Sequence, residues 1–128
     1  PGFEAGFHVN MEGDKAAVRD GSVFEYCKLN DMVIQAWSVL QFGYFKGNFV
    51  GNEKFQQLNH VLNRLALKYS VSPSAIAIAW VLRYPAKMQA VVGTTNPKHL
   101  IEASQASKVN LTRKEWYEIY IASGNDLP

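Results

Sequence analysis

Two short apolar runs constrain this chain more than anything else in it. Met32-Val33-Ile34-Gln35-Ala36 and Gln89-Ala90-Val91-Val92 have the length of β-strands and β-branched residues within them. Between them lie two helical patterns. Phe55, Leu58, Val61, Leu62, Leu65, Ala66 and Tyr69 fall on one stripe at helical spacing. Ser72-Pro73 then restarts the chain, with Ser as N-cap and Pro at the first helical position. Ile76, Ala77, Trp80 and Val81 predict the buried face of this second helix, and Pro85 stops it. Two strands joined through helices are not a hairpin, and a crossover of this length makes them parallel. A parallel sheet is covered on both faces, so two strands describe only part of an α/β architecture.

The flanking segments fit that pattern. Asp20-Gly21-Ser22 predicts a helix start, and Val23, Tyr26 and Cys27 recur at helical spacing to about Leu29, where Asn30-Asp31 breaks the helix. Residues 1–19, punctuated by Gly2, Gly6 and Gly13, show no period and read as irregular. After the second run, Asn96 caps and Pro97 opens a helix with Leu100, Ala103 and Ser104 on one side, lasting to about Ala106. Thr112-Arg113-Lys114-Glu115 is a capping box; it opens a last helix with Trp116, Ile119 and Tyr120, which Gly124 ends at C′.

Composition excludes several function classes. With 128 residues, 48% hydrophobic and 12% aromatic, the chain can bury a real core in one domain and is not a disordered segment. Its formal charge of +2, from 13 basic and 11 acidic residues with no run of one sign, gives no footprint for a nucleic-acid partner. No apolar run approaches the ~18 residues of a membrane span, so no membrane partner is expected. The single cysteine, Cys27, allows no intrachain disulfide and fits a reducing, cytoplasmic setting; on its helix it reads as a small buried hydrophobe. Pro1-Gly2-Phe3-Glu4 lacks a basic region leading into an apolar stretch, and reads as a cut point within a longer protein rather than a signal peptide. No cluster of Cys and His suggests a metal, and His60, beside Asn59 on the amphipathic helix, is expected to face solvent.

Two segments carry chemistry. In Val91-Val92-Gly93-Thr94-Thr95-Asn96-Pro97-Lys98-His99-Leu100 a strand enters a Gly-Thr-Thr turn and a helix opens directly after it. A helix start offers N–H groups and the positive end of its dipole to an anion; Gly93 would let the backbone approach closely, and two hydroxyls and an amide add donors. The competing reading is an ordinary strand-to-helix turn that binds nothing. In Ile34-Gln35-Ala36-Trp37-Ser38-Val39-Leu40-Gln41-Phe42-Gly43 a strand ends in an aromatic and then a serine. That aromatic could stack on a planar ring, or simply belong to the core. The aromatics Phe42, Tyr44, Phe45 and Phe49 that follow could line an apolar pocket or pack their own loop down.

Together and in this order, the Ala-Trp-Ser element at 36–38 and the Val-Gly-Thr-Thr-Asn-Pro element at 92–97 resemble the aldo/keto reductase family, from its seventh strand to its end. The closing Thr112-Arg113-Glu115-Trp116-Tyr117 helix and Gly124-Asn125 resemble a bacterial, general-oxidoreductase-type subgroup, and the resemblance runs from about Gly6 to the end. It implies a partial (β/α)8 TIM barrel: residues 1–128 as the C-terminal portion, truncated, with two parallel strands and about five helices and the N-terminal strands missing. It implies hydride transfer between NADPH and a small carbonyl substrate, with NADP as the cofactor and NAD as the second choice. Trp37 would stack on the nicotinamide. Ser38 and Leu40 would contact the pyrophosphate, with Gln41 and Gly43 beside them. Gly93, Thr94, Thr95 and Asn96 would hold the adenosine 2′-phosphate, His99 would stand where many members have an arginine, and Glu102 would bond the adenine amino group. Gly93 replaces a frequent basic residue and Ala103 a frequent asparagine, while Lys98 could return some of the missing charge.

The family's catalytic Asp, Tyr, Lys and His would precede Pro1, and His8, His60 and His99 do not match them. The resemblance therefore implies a cofactor half-site that is inactive alone, as a piece of a full reductase, a truncated product that folds with a partner, or a stand-alone module. Exposed barrel edges would favour self-association. The alternative is a non-catalytic scaffold or interaction domain that keeps only a nucleotide-binding turn.

Overall fold

In the computed structural model the described residues are 6–7, 11–12, 22–42 and 46–126. Strands β1 (Gly6–Phe7) and β2 (Met11–Glu12) pair antiparallel, where the sequence predicts only irregular chain. Helix α1 spans Ser22–Leu29, strand β3 Ile34–Trp37, helix α2 Gln56–Tyr69, helix α3 Pro73–Leu82, strand β4 Met88–Val91, helix α4 Pro97–Ser104 and helix α5 Arg113–Ala122. Short 3₁₀ turns precede α2 at Glu53–Phe55 and follow α4 at Gln105–Lys108.

β3 and β4 are parallel, with Ile34 opposite Met88 and Trp37 opposite Val91. The pairing that the helical crossover predicts is present, but the strand limits shift. Met32 and Val33 lie outside the ladder, which opens where the Ile34 N–H donates to the Lys87 carbonyl at 2.8 Å. Period-two alternation sorts the strand residues. Ile34, Ala36, Met88 and Ala90 are half-buried, while Gln35, Trp37, Gln89 and Val91 are exposed on the other face.

The covered face meets a core built on α2 and α3. Leu62, Leu65 and Ile76 are fully buried there. The α2 stripe packs inward as the spacing predicts. In α3 the buried residues are Ala75 to Ala79 in succession, while Trp80 and Val81 are only half-buried. The helix thus runs through the core rather than along it, which a single predicted face missed. The Ser72 hydroxyl caps α3 by accepting from the Ala75 N–H at 3.1 Å. Ile119 of α5 and Leu111, just before that helix, close the core. Trp80 and Trp116 stack with ring centroids 4.8 Å apart, each indole N–H donating to the other's backbone carbonyl at 3.0 Å.

Two expected faces are corrected. In α1 the buried residue is Phe24, against the Tyr84 ring, while Tyr26 is exposed and Cys27 only half-buried. In α4 only Ala103 is buried; Leu100 and Ser104 face solvent. His60 is exposed as expected, yet its neighbour Asn59 is buried. Gly124 ends α5 with φ +90°, as the cap reading requires. Among the described residues no single helix is long and apolar enough to cross a membrane; α2 and α3 pass such a test only as a pair bent by 93°.

Candidate functional site

Parallel strands bring their C-terminal ends to one side, and here each end runs into a loop that carries polar groups. After β3 the chain turns sharply at Ser38, a non-glycine residue with φ +54°. The Gln41 N–H donates back to the Ser38 carbonyl at 3.0 Å, and the Phe49 N–H to the Leu40 carbonyl at 3.0 Å, so the loop doubles back as a small hairpin. Gly47 makes its turn with φ +109°. Phe42 and Phe49 contact the Phe55 ring at 5.0 and 6.4 Å. These two therefore pack the loop onto the 3₁₀ turn that precedes α2, the second of their two readings. Gly43, Tyr44 and Phe45 lie outside the described residues, as do His8, Gly2, Gly13, Asp20 and Gly21.

Asn59 anchors this loop from α2. Its Oδ1 accepts from the Gly51 N–H at 2.7 Å, and its Nδ2 donates to the carbonyls of Phe49, Asn52 and Phe55 at 2.9, 3.1 and 3.0 Å. An asparagine on a helix reads as surface, and nothing in its spacing marks it as a clamp.

After β4 the turn caps its own helix. The Thr94 Oγ1 accepts from the Asn96 N–H at 3.1 Å, and the Asn96 Oδ1 accepts from the Lys98 N–H at 3.0 Å. Gly93 needs no left-handed φ, and a Cβ there would meet nothing within 4 Å, so the surrounding protein does not demand a glycine.

The two loops and strand ends enclose one cleft of about 530 Å³, within the range of small-molecule sites. It is lined by eight of the ten residues expected from the sequence: Trp37, Ser38, Leu40, Gln41, Gly93, Thr94, His99 and Glu102. Thr95 and Asn96 do not line it. Trp37 is 43% exposed and lines this cleft. Beneath it on the same face, the Gln35 Nε2 donates to the Gln89 Oε1 at 3.2 Å and ties the strands together. Gly47, Asn48 and Ser74 also line the cleft and were not foreseen. The signal for the first two was the Gly-Asn pair itself, a turn sequence between short hairpin arms. No group of three or more His, Cys, Asp or Glu side chains gathers among the described residues.

A cleft at the C-terminal ends of parallel strands, beside a helix start, is where α/β folds place their ligands. Residues 15–123 match the aldo/keto reductase family, and the chain belongs to that family. It is 36% identical over 94 residues to a 6-dehydroglucose reductase of Agrobacterium fabrum, covering 72% of this chain and 30% of that protein. It is 30% identical over 95 residues to the Escherichia coli oxidoreductase YdhF, covering 73% of this chain and 30% of that protein. Among solved structures it resembles the thermostable aldo-keto reductase Tm1743, in complex with the inhibitor epalrestat. The TM-score is 0.63 at 24% identity, over 85% of this chain and 36% of that one, which extends the likeness to the TIM-barrel fold. The chain thus spans about a third of the length of the relatives it matches.

Proposed function

We propose that this chain forms the C-terminal portion of an aldo/keto reductase barrel and holds a nicotinamide dinucleotide for hydride exchange with a small carbonyl compound. The observation that carries the reading is the convergence of eight expected residues, from two loops far apart in sequence, on one cleft at the ends of parallel strands. In this reading the exposed Trp37 indole is a platform for a planar ring. Ser38, Leu40 and Gln41 line the cleft from the loop after β3, and Thr94, His99 and Glu102 from the turn after β4 and from α4. The described residues fit the group: the cleft holds about 530 Å³, an exposed aromatic lines it, and no atom lies within 4 Å of where a Cβ at Gly93 would stand. The nicotinamide, when bound, supplies or accepts the hydride. This chain's residues bind and orient; none matches the family's acid-base tetrad, so proton transfer to a carbonyl falls to residues beyond these.

The resemblance puts NADP(H) first and NAD(H) second at this turn. The exposed sheet face, with Gln35, Trp37, Gln89 and Val91, is in this reading the interior of the barrel, and further strands complete it.

Binding by the full chain tests the reading. Calorimetric titration should give a dinucleotide Kd near millimolar, about 4 kcal/mol, because one wall of the cleft is open. Trp37→Ala should weaken the dinucleotide about tenfold and leave 5′-AMP unchanged, since stacking contributes on the order of 1 kcal/mol. Equal loss for both ligands, or no binding to the wild-type chain, would refute the placement.

A further inference from the structure

One side of α5 carries rings and a cation. Arg113, Trp116, Tyr117 and Tyr120 recur at three- and four-residue spacing, so they share a side of that helix. Trp116 stacks on both Trp80 and Tyr120, with centroids 4.8 and 5.7 Å away. Tyr117 meets Trp116 edge-on at 5.1 Å, and the Arg113 guanidinium lies over the Tyr117 ring at 5.8 Å. The chain leaving α3 joins them. Arg83 is the C-cap of α3, and its Nε donates to the Leu111 carbonyl at 3.2 Å, just before α5. Arg83, Tyr84, Arg113, Trp116, Tyr117 and Tyr120 line a pocket of about 400 Å³, within the range of small-molecule sites.

This pocket lies toward the other end of the sheet from the cleft. Arg83 and Tyr84 follow α3 and precede β4, on the side of the strand's N-terminal end, whereas its C-terminal end opens on the cleft. No described residue lines both. The charge is one-sided. Among the described residues Arg64 is paired with Glu118, while neither Arg83 nor Arg113 has a carboxylate partner. No acidic side chain is among the described lining residues. Glu25, which acts on Tyr84 from α1, is paired with Lys28 at 3.4 Å. The reciprocal bonds of Trp80 and Trp116 join α3 to α5 and account for those two indoles. They do not account for two exposed arginines placed beside the rings.

We propose that this pocket is a second binding site, for a small planar ring that bears a carboxylate. A guanidinium is a planar, permanently charged fork that meets a carboxylate through two parallel N–H donors. Tyrosine and tryptophan rings offer faces and edges to a flat ring. Ring and charge thus find separate partners on neighbouring residues of one helix. A neutral ring gains the stacking alone, and a carboxylate without a ring gains the charge alone. The proposal is independent of the dinucleotide reading, since none of these residues lines that cleft.

The probe is 2-naphthoate, titrated into the isotope-labelled full chain and followed by NMR, with 2-naphthamide as its uncharged counterpart. The indole N–H signals report position, because Trp37 lines the cleft and Trp116 the pocket. 2-Naphthoate should shift the Trp116 signal, leave Trp37 in place, and bind about tenfold more tightly than 2-naphthamide. Arg113→Gln should weaken 2-naphthoate about fivefold or more and leave 2-naphthamide unchanged. Arg113 is exposed at the first position of α5, so this variant should keep the far-UV circular dichroism spectrum of the wild-type chain. Equal affinity for the two probes, or undiminished 2-naphthoate binding by Arg113→Gln, overturns the proposal. So do shifts confined to Trp37, or no shift at about 10 mM probe.

Discussion

Replacing Glu115 with glutamine should cost the fold about 2 kcal/mol at neutral pH and remove much of its sensitivity to acid. Glu115 is 6% exposed and joins α5 to α2 across 46 and 47 residues of sequence. One carboxylate oxygen is ion-paired with Lys68, and the other accepts from the Tyr69 hydroxyl at 2.7 Å and the Thr112 N–H at 2.8 Å. Burial alone would push this carboxyl up. The bonds from Lys68, Thr112 and Tyr69 outweigh burial and hold it at about 2, against an ordinary 4.5. That gap corresponds to roughly 3 kcal/mol at about 1.4 kcal/mol per pH unit. The Lys68 side chain is 55% exposed, so water screens part of the pairing and about 2 kcal/mol remains.

The sign follows from the direction of the shift. A carboxyl held below its unfolded value stabilises the fold fully above 4.5, and that contribution is lost as pH falls from there toward 2. Urea denaturation followed by tryptophan fluorescence, at about pH 7 and about pH 3, measures both quantities. The wild-type chain should exceed Glu115→Gln by about 2 kcal/mol at the higher pH and by clearly less at the lower one. A difference that stays constant between the two would show that the carboxylate's charge contributes nothing and refute the reasoning.

Two other outcomes follow from the packing. Asn59→Ala should destabilise the chain by about 2 to 4 kcal/mol, since one amide N–H and three carbonyls lose their partner together, and limited proteolysis should cut first between residues 46 and 55. The chain should self-associate, because the sheet exposes Trp37 and Val91 on its open face and strand edges beside them; a light-scattering mass that stays at 14.4 kDa across a concentration series would count against this.

What the sequence made legible was whatever depends on neighbours along the chain. Ser72-Pro73, Asn96-Pro97 and Thr112 with Glu115 each occupy the cap positions their residue types predict, because capping is a contest among a few adjacent donors and acceptors. The cleft residues were legible in another way, through the resemblance carried by the elements at 36–38 and 92–97. The outlying residues were Thr95 and Asn96, the second because its side-chain oxygen serves the helix instead of the cleft.

What stayed hidden depends on contacts across the chain. Glu115 reads as a capping residue, and its further bonds to Lys68 and Tyr69 have no local sign. Asn59 reads as surface for the same reason. In α4 and α1 the helical spacing predicts a buried side, yet Leu100 is 54% and Tyr26 61% exposed. Periodicity identifies a face that wants burial but not the element that buries it.

The open face of the sheet and the cleft are one surface. Trp37 and Val91 are the last residues of β3 and β4; both line the cleft, and both belong to the uncovered face. Whatever completes the sheet therefore also supplies a wall of the cleft. Covering that face removes apolar area from water and encloses the cleft in the same step. Coupling of this kind is reciprocal: further strands that tighten the cleft are themselves held more tightly when the cleft is filled. The weak cofactor affinity proposed for the chain and the self-association predicted for it then have one physical origin, a parallel sheet covered on a single side.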